Sequence, residues 1–98
     1  MSSEVTAILD NIGKQTGVLG TIVMTNNGIV VKTSFTPADA ANYAAVASDF
    51  LKRTKNCTDA LTPGQKLQVI RIRSFKNELV IIPDETFTLV IIQDSGAA

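Results

Sequence analysis

Val5, Ile8, Leu9 and Ile12 stand at i, i+3, i+4 and i+7, one apolar stripe along a short helix. Ser2 or Ser3 can cap its start, Glu4 suits its positive N-terminal end, and Gly13 is a stop. The period then changes from helical to extended. Leu19–Thr25 and Ile29–Phe35 are rich in β-branched residues and read as strands. Asn26-Asn27-Gly28 separates them. Asn-Gly between two apolar runs predicts a hairpin with a type I′ turn, which needs positive φ at both central residues.

Thr36-Pro37-Ala38-Asp39 predicts the start of a second helix. Thr36 can cap it, Pro37 suits the first helical position, and Asp39 stands three residues after the cap. The alanine-rich stretch from Ala40 to about Lys55 continues it. Lys52, Arg53 and Lys55 would then complement the negative end of the helix dipole. Asn56–Gln65 reads as a linker, with turn chemistry at Thr62-Pro63-Gly64. Lys66–Arg73, Glu78–Ile82 and Phe87–Gln93 read as strands joined by short separators, a meander. Residues 95–98 read as a frayed tail. The expected order is αββαβββ in one domain over residues 1–98. The class is α+β, a five-stranded antiparallel sheet with helices on both faces.

Two elements carry more apolar surface than a plain layer needs. In the second helix, Tyr43, Val46, Ala47, Phe50 and Thr54 lie along one side, and Ala40, Ala44 and Leu51 extend it. A helix that only roofs a sheet needs about 100° of apolar face. Either this helix is deep-set in a monomer, or it packs on its own sheet and on a partner. In the third strand Val69, Arg71 and Arg73 point one way and Gln68, Ile70 and Ile72 the other. Arginines suit a sheet edge, while the apolar residues suit deliberate pairing with another copy. The last two strands are apolar on both faces, so they need cover on both sides of the sheet.

Composition mainly excludes. The 98 residues contain no histidine and one cysteine. That removes a Ser-His-Asp triad, a Cys-His nucleophile, a histidine or cysteine metal cluster and an internal disulfide. Cys57 reads as a structural or incidental thiol in a reducing compartment. Gly64-Gln65-Lys66 lacks the spacing of a phosphate loop and leads into a strand. Asp84 and Glu85 read as a solvated turn. The start of the chain lacks the basic residues of a signal peptide, and no apolar run approaches the ~20 residues of a membrane helix. The expectation is a soluble cytosolic protein that is no enzyme, holds no cofactor or metal, and does not insert into membranes.

The net charge of zero conceals a polarity. Phe50–Lys76 holds seven basic residues and the single acid Asp59, whereas Asn77–Ala98 holds four acids and no base. Clustered Lys and Arg can contact phosphates. No set of stacking aromatics accompanies them, so the expected partner is an acidic part of a protein, or the chain itself, and not nucleic acid.

Leu67 to Asp84 resembles the R-I-R-S-x-K-N-E-apolar signature of the roadblock/LC7 dynein light chains, through Arg71-Ile72-Arg73-Ser74-Phe75-Lys76-Asn77-Glu78. Gly17 to Ile29 is similar to their G-V-x-G-x-I-V-x-x-x-x-G-I hairpin. Tyr43-Ala44 stands where that family carries a helical Tyr-Ala, and the similarity runs on through Leu89–Gln93. The resemblance implies a profilin-like fold and a homodimer, with the second helix packed on its twin and the third strands paired into a ten-stranded sheet. The implied dimer residues are Tyr43, Ala44, Ala47, Phe50, Val69, Ile70, Arg71 and Ile72. Arg71 and Arg73 would pair across it with acids or carbonyls. The resemblance also implies a non-catalytic subunit that binds a helix of the dynein intermediate chain. Such a subunit works in a microtubule-associated motor complex of the cytoplasm or the axoneme. A sister light-chain isoform is a further candidate partner. Candidate partner-binding residues are Val5 and Leu9 on the first helix, with Arg71 and Arg73 beside the open sheet face. The alternative is a roadblock-type scaffold or regulator of a small GTPase. Residues 56–63 and the alanine-rich helix depart from the family pattern.

Overall fold

The computed structural model describes residues 3–74 and 76–94, without the side chains of residues 3–6 and 8. The Val5 and Ile8 side chains, the Ser2 cap and the tail 95–98 lie outside the described residues. Seven elements follow in the expected order: α1 Ser3–Gly13, β1 Val18–Thr25, β2 Val30–Thr33, α2 Pro37–Leu61, β3 Ile70–Arg73, β4 Asn77–Pro83 and β5 Phe87–Asp94. The strands form one antiparallel sheet in the order β2-β1-β5-β4-β3. The N-terminal hairpin and the C-terminal meander are therefore stitched together by β5. β2 and β3 are the edges.

Strand alternation gives the sheet two apolar faces. Ile22 pairs with Val90, Val90 with Ile81, and Ile81 with Ile70, which makes a continuous row on one face. Ala40, Ala44, Ala47 and Leu51 of α2, spaced i, i+4, i+7 and i+11, complete the core over that row. Their small size lets the helix backbone lie close to the sheet. Gly20 extends the same economy: a Cβ there would run into the ring of Phe35, which in turn contacts Tyr43 with centroids 5.0 Å apart. The other face holds Thr21, Val23 and Val80, all buried, and α1 packs against β1 with Leu9 buried.

Three expectations of local structure need correction. α2 does not end near Lys55 but runs to Leu61, so residues 56–61 are helix and not linker. Thr58 Oγ1 donates to the Lys55 carbonyl, and the Thr62 amide donates to the Thr58 carbonyl at 2.8 Å, where Pro63 then ends the helix. The cations Lys52, Arg53 and Lys55 fall mid-helix, and the last turn has no basic residue. Arg53 instead meets Asp49, one turn back, at 3.0 Å. β3 begins at Ile70 and not at Lys66. The longer helix leaves only Thr62–Val69 to carry the chain back to the sheet edge.

The hairpin turn is also of another type. No non-glycine residue among those described has positive φ, so Asn27 does not adopt the type I′ conformation. The Gly28 amide donates to the Thr25 carbonyl at 2.9 Å, the Thr25 amide to the Ile29 carbonyl at 2.8 Å, and Gly28 alone takes φ of 92°. This is the three-residue loop in which a turn is followed by a left-handed glycine. Asn26 explains the preference. Its Oδ1 accepts from the fully buried Thr88 hydroxyl at 2.7 Å, and its Nδ2 donates to the carbonyls of Asp84 and Glu85 at 3.2 and 3.0 Å. The side chain is committed to the β4–β5 loop, which fixes the turn around it.

Candidate functional site

α2 presents two flanks beside the stripe that faces the sheet. On one, Ala41, Ala45 and Ser48 meet Gly28, Val30 and Thr33 of the β1–β2 hairpin across a groove of about 610 Å³ with no titratable group in its lining. The opposite flank points along the strand order toward β3. It carries Tyr43, Val46, Phe50, Thr54, Cys57 and Leu61 at spacings of three and four residues, a pattern that repeats after 11. An 11-residue repeat averages ~3.67 residues per turn, so the stripe stays almost parallel to the helix axis. Val46 is 50% exposed, Phe50 37% and Leu61 82%, and Tyr43 and Thr54 are half-buried. Such residues on one straight line are more than scattered surface hydrophobics.

Beside this flank runs the β3 edge. Its four residues pair with β4 without a register shift, from Ile70 with Ile81 to Arg73 with Glu78. Val69, just before the strand, is exposed. The outer side of β3 has no strand partner among the described residues. An apolar helix flank and a regular open strand thus lie on one side of the molecule.

The sequence-expected residues divide in a specific way. Tyr43 and Phe50 reach this surface. Val69 and Arg71 are exposed at the β3 edge but alternate with Ile70, so their side chains lie on the sheet face away from α2. Ile72 is half-buried on the α2 face. Ala44 and Ala47 do not reach the outer flank: both are fully buried against the chain's own sheet. The Ile70 side chain likewise belongs to the core under α2, which leaves only its backbone to the edge. Arg71 is engaged within its own chain, through Nη2 and Nε to Glu78 Oε1 at 2.7 and 3.2 Å, and Gln93 Nε2 donates to the same oxygen at 3.3 Å. Across-dimer pairing for Arg71 would have to displace that bond. Arg73 is exposed on the same strand. Leu9 is buried beneath α1 and offers no contact to a partner. Val46 and Leu61 complete the surface. Helical spacing puts Val46 on the apolar side of the helix without placing it in the interface, and a linker over residues 56–65 excludes Leu61.

Chemistry has little to work with here. Among the described residues no group of three His, Cys, Asp or Glu could hold a metal, and no buried side-chain nitrogen or oxygen lacks a partner. No helix among them is long and apolar enough to cross a membrane.

The profile of the Roadblock/LC7 domain matches residues 4–93. The chain belongs to the Roadblock/LC7 family. Solved Roadblock/LC7 folds agree with its architecture. The Roadblock/LC7 domain from Streptomyces avermitilis superposes with a TM-score of 0.85 at 13% identity, covering 94% of this chain and 79% of that one. MglB of Myxococcus xanthus gives 0.81 at 13% identity, over 98% and 80%. The gliding protein MglB of Thermus thermophilus gives 0.79 at 16% identity, over 95% and 73%. At these identities the likeness is one of fold. MglB has also been solved in a tetrameric arrangement.

Proposed function

We propose that this Roadblock/LC7 chain is a non-catalytic assembly subunit that acts as a two-fold homodimer. α2 would pack on its twin through Tyr43, Val46 and Phe50, and β3 would pair with β3 to extend the sheet. The observation that carries this reading is the exposed α2 flank lying beside an open, regular edge strand. Either surface alone is common; together they supply the helix and the strand contact of one seam.

In this reading each dimer captures two helical segments of a dynein intermediate chain. The second capture is intramolecular and gains effective concentration. The R-I-R-S-x-K-N-E resemblance supports this partner, in a microtubule-associated motor complex of the cytoplasm or axoneme. A scaffold or regulator of a small GTPase is the second reading. The bacterial origin of the solved neighbours supports it, since one fold hosts several binding roles.

Light scattering at micromolar concentration tests the dimer, and a monomeric mass would refute it. Side-by-side pull-downs with intermediate-chain fragments and small GTPases then separate the two partners. Retention of the GTPases alone would decide for the second reading.

A further inference from the structure

A small polar cavity of about 240 Å³ lies between β2 and the end of α1. Val23 pairs with Lys32, so strand alternation turns Thr21, Lys32 and Ser34 toward the α1 face. Asp10 and Lys14 line the cavity from the helix side. Thr21 is its unusual member. The residue is 6% exposed, yet its hydroxyl has no hydrogen-bond partner among the described residues. No wholly buried side-chain oxygen among them lacks a partner, so this hydroxyl opens into the cavity. Ser34 Oγ accepts from the Thr21 amide at 3.0 Å, which leaves the Ser34 hydroxyl hydrogen to donate. Neither Lys14 nor Lys32 forms an ion pair with a described residue; the acids that are paired go to arginines. Two hydroxyls and two ammoniums thus offer donors to one space.

We propose that this cavity binds a small phosphate monoester. Binding there does not depend on dimerisation, because β2 is the edge remote from β3. Size limits the ligand: sites for drug-sized molecules begin at about 300 Å³. Charge limits it further. Asp10 shares the lining and the C-terminal end of α1 is partly negative, so the two lysines leave only a modest surplus. A singly charged carboxylate gains little from that. A phosphate monoester carries about −1.5 to −2 charge at neutral pH and three strong acceptor oxygens, so it can take both ammoniums and both hydroxyls together. The opposing carboxylate sets the affinity in the millimolar range.

Titration of the intact chain with glycerol phosphate, followed by amide NMR, is the test, with glycerol as the uncharged control. The expected result is a saturable shift centred on Asp10, Lys14, Thr21 and residues 32–34, and none with glycerol. Lys32→Gln and Thr21→Val each weaken binding at least threefold, and Asp10→Asn tightens it by a similar factor. Lys52→Gln, which removes a cation elsewhere on the chain, leaves it unchanged. Thr21→Val deletes a hydroxyl that no described residue uses. Far-UV circular dichroism checks its folding, and Lys32→Gln against Lys52→Gln carries the test should it unfold. The proposal is overturned by unsaturable shifts spread over the lysines at large, by equal binding to Thr21→Val and wild type, or by no shift at all. Vesicles of phosphatidylcholine with phosphatidic acid form a separate arm. Binding to them alone would also overturn it, by giving the patch to a membrane surface.

Discussion

The two edges of the sheet are built to opposite ends. At β2 the ladder slips: Val23 opposes Lys32 and Met24 opposes Val30, which leaves Val31 as the extra residue of a bulge. Side chains then bind this edge inward. Thr33 Oγ1 donates to the Thr21 carbonyl at 2.9 Å and accepts from the Phe35 amide at 3.0 Å, and the Thr21 amide donates to Ser34 Oγ at 3.0 Å. A short, bulged edge with an outward lysine resists further pairing. β3 is equally short and carries two arginines, yet its ladder is regular and an apolar helix flank stands beside it. Charge therefore does not tell a closed edge from an open one. On the dimer reading, regular register and the surface next to the strand do.

The strongest way to break this comparison is to charge the α2 flank. Val46→Asp with Phe50→Asp buries uncompensated carboxylates in the proposed seam, at a cost of about 3–5 kcal/mol each. The expected result is a halved mass in light scattering with a normal urea transition for the monomer; an unchanged mass would remove the distinction between the edges. Ile70→Asp is a poorer probe, because that side chain lies in the core.

Asn26→Ala comes next. It leaves the buried Thr88 hydroxyl without its acceptor and releases the β4–β5 loop, for a loss of about 1–3 kcal/mol by urea denaturation. Dimer mass should not change, since the Asn26 side chain bonds Thr88 and the β4–β5 loop and no residue of the proposed seam; a loss of mass would mean that the loops shape the seam. A smaller effect is expected for Thr33→Val, about 0.5–1.5 kcal/mol, with faster amide exchange confined to β2. Slow exchange after this change would show that the bulge alone closes the edge. Smallest is Arg71→Gln, which removes an exposed ion pair of about 0–1 kcal/mol. Dimerisation at wild-type affinity would sharpen the view that register decides the edge, and a marked weakening would restore charge to the account.

Local signals made much of the fold legible. Thr36 accepts from the Asp39 amide at 3.3 Å, as the sequence at the start of α2 predicts. The edge position of β3 and the hairpin also follow from short-range pattern. The end of α2 does not, because Asn56, Cys57 and Thr58 are weak helix formers that local hydrogen bonds and the downstream Ala60-Leu61 sustain. Periodicity showed that α2 is broadly apolar but not which arc meets the sheet. Ala44 and Ala47 are thus expected in an interface, although they face the sheet and the outer flank belongs to residues such as Tyr43, Val46 and Phe50. The sequence names the open sheet face near β3 as a candidate surface but not how far α1 covers it. Two-sided apolar strands imply cover on both faces, and nothing in the sequence of α1 says that it packs mainly on β1.

β5 is the last strand of the described chain and the central strand of the sheet. During synthesis the hairpin and the β3–β4 pair emerge first, and neither has a sheet to join until Phe87–Asp94 appears. Two-stranded units of this kind are marginal alone. The nascent chain therefore waits with its core-facing residues uncovered until this strand joins the two pairs into one sheet. A ribosome stall before Phe87 would hold the chain in its most aggregation-prone form.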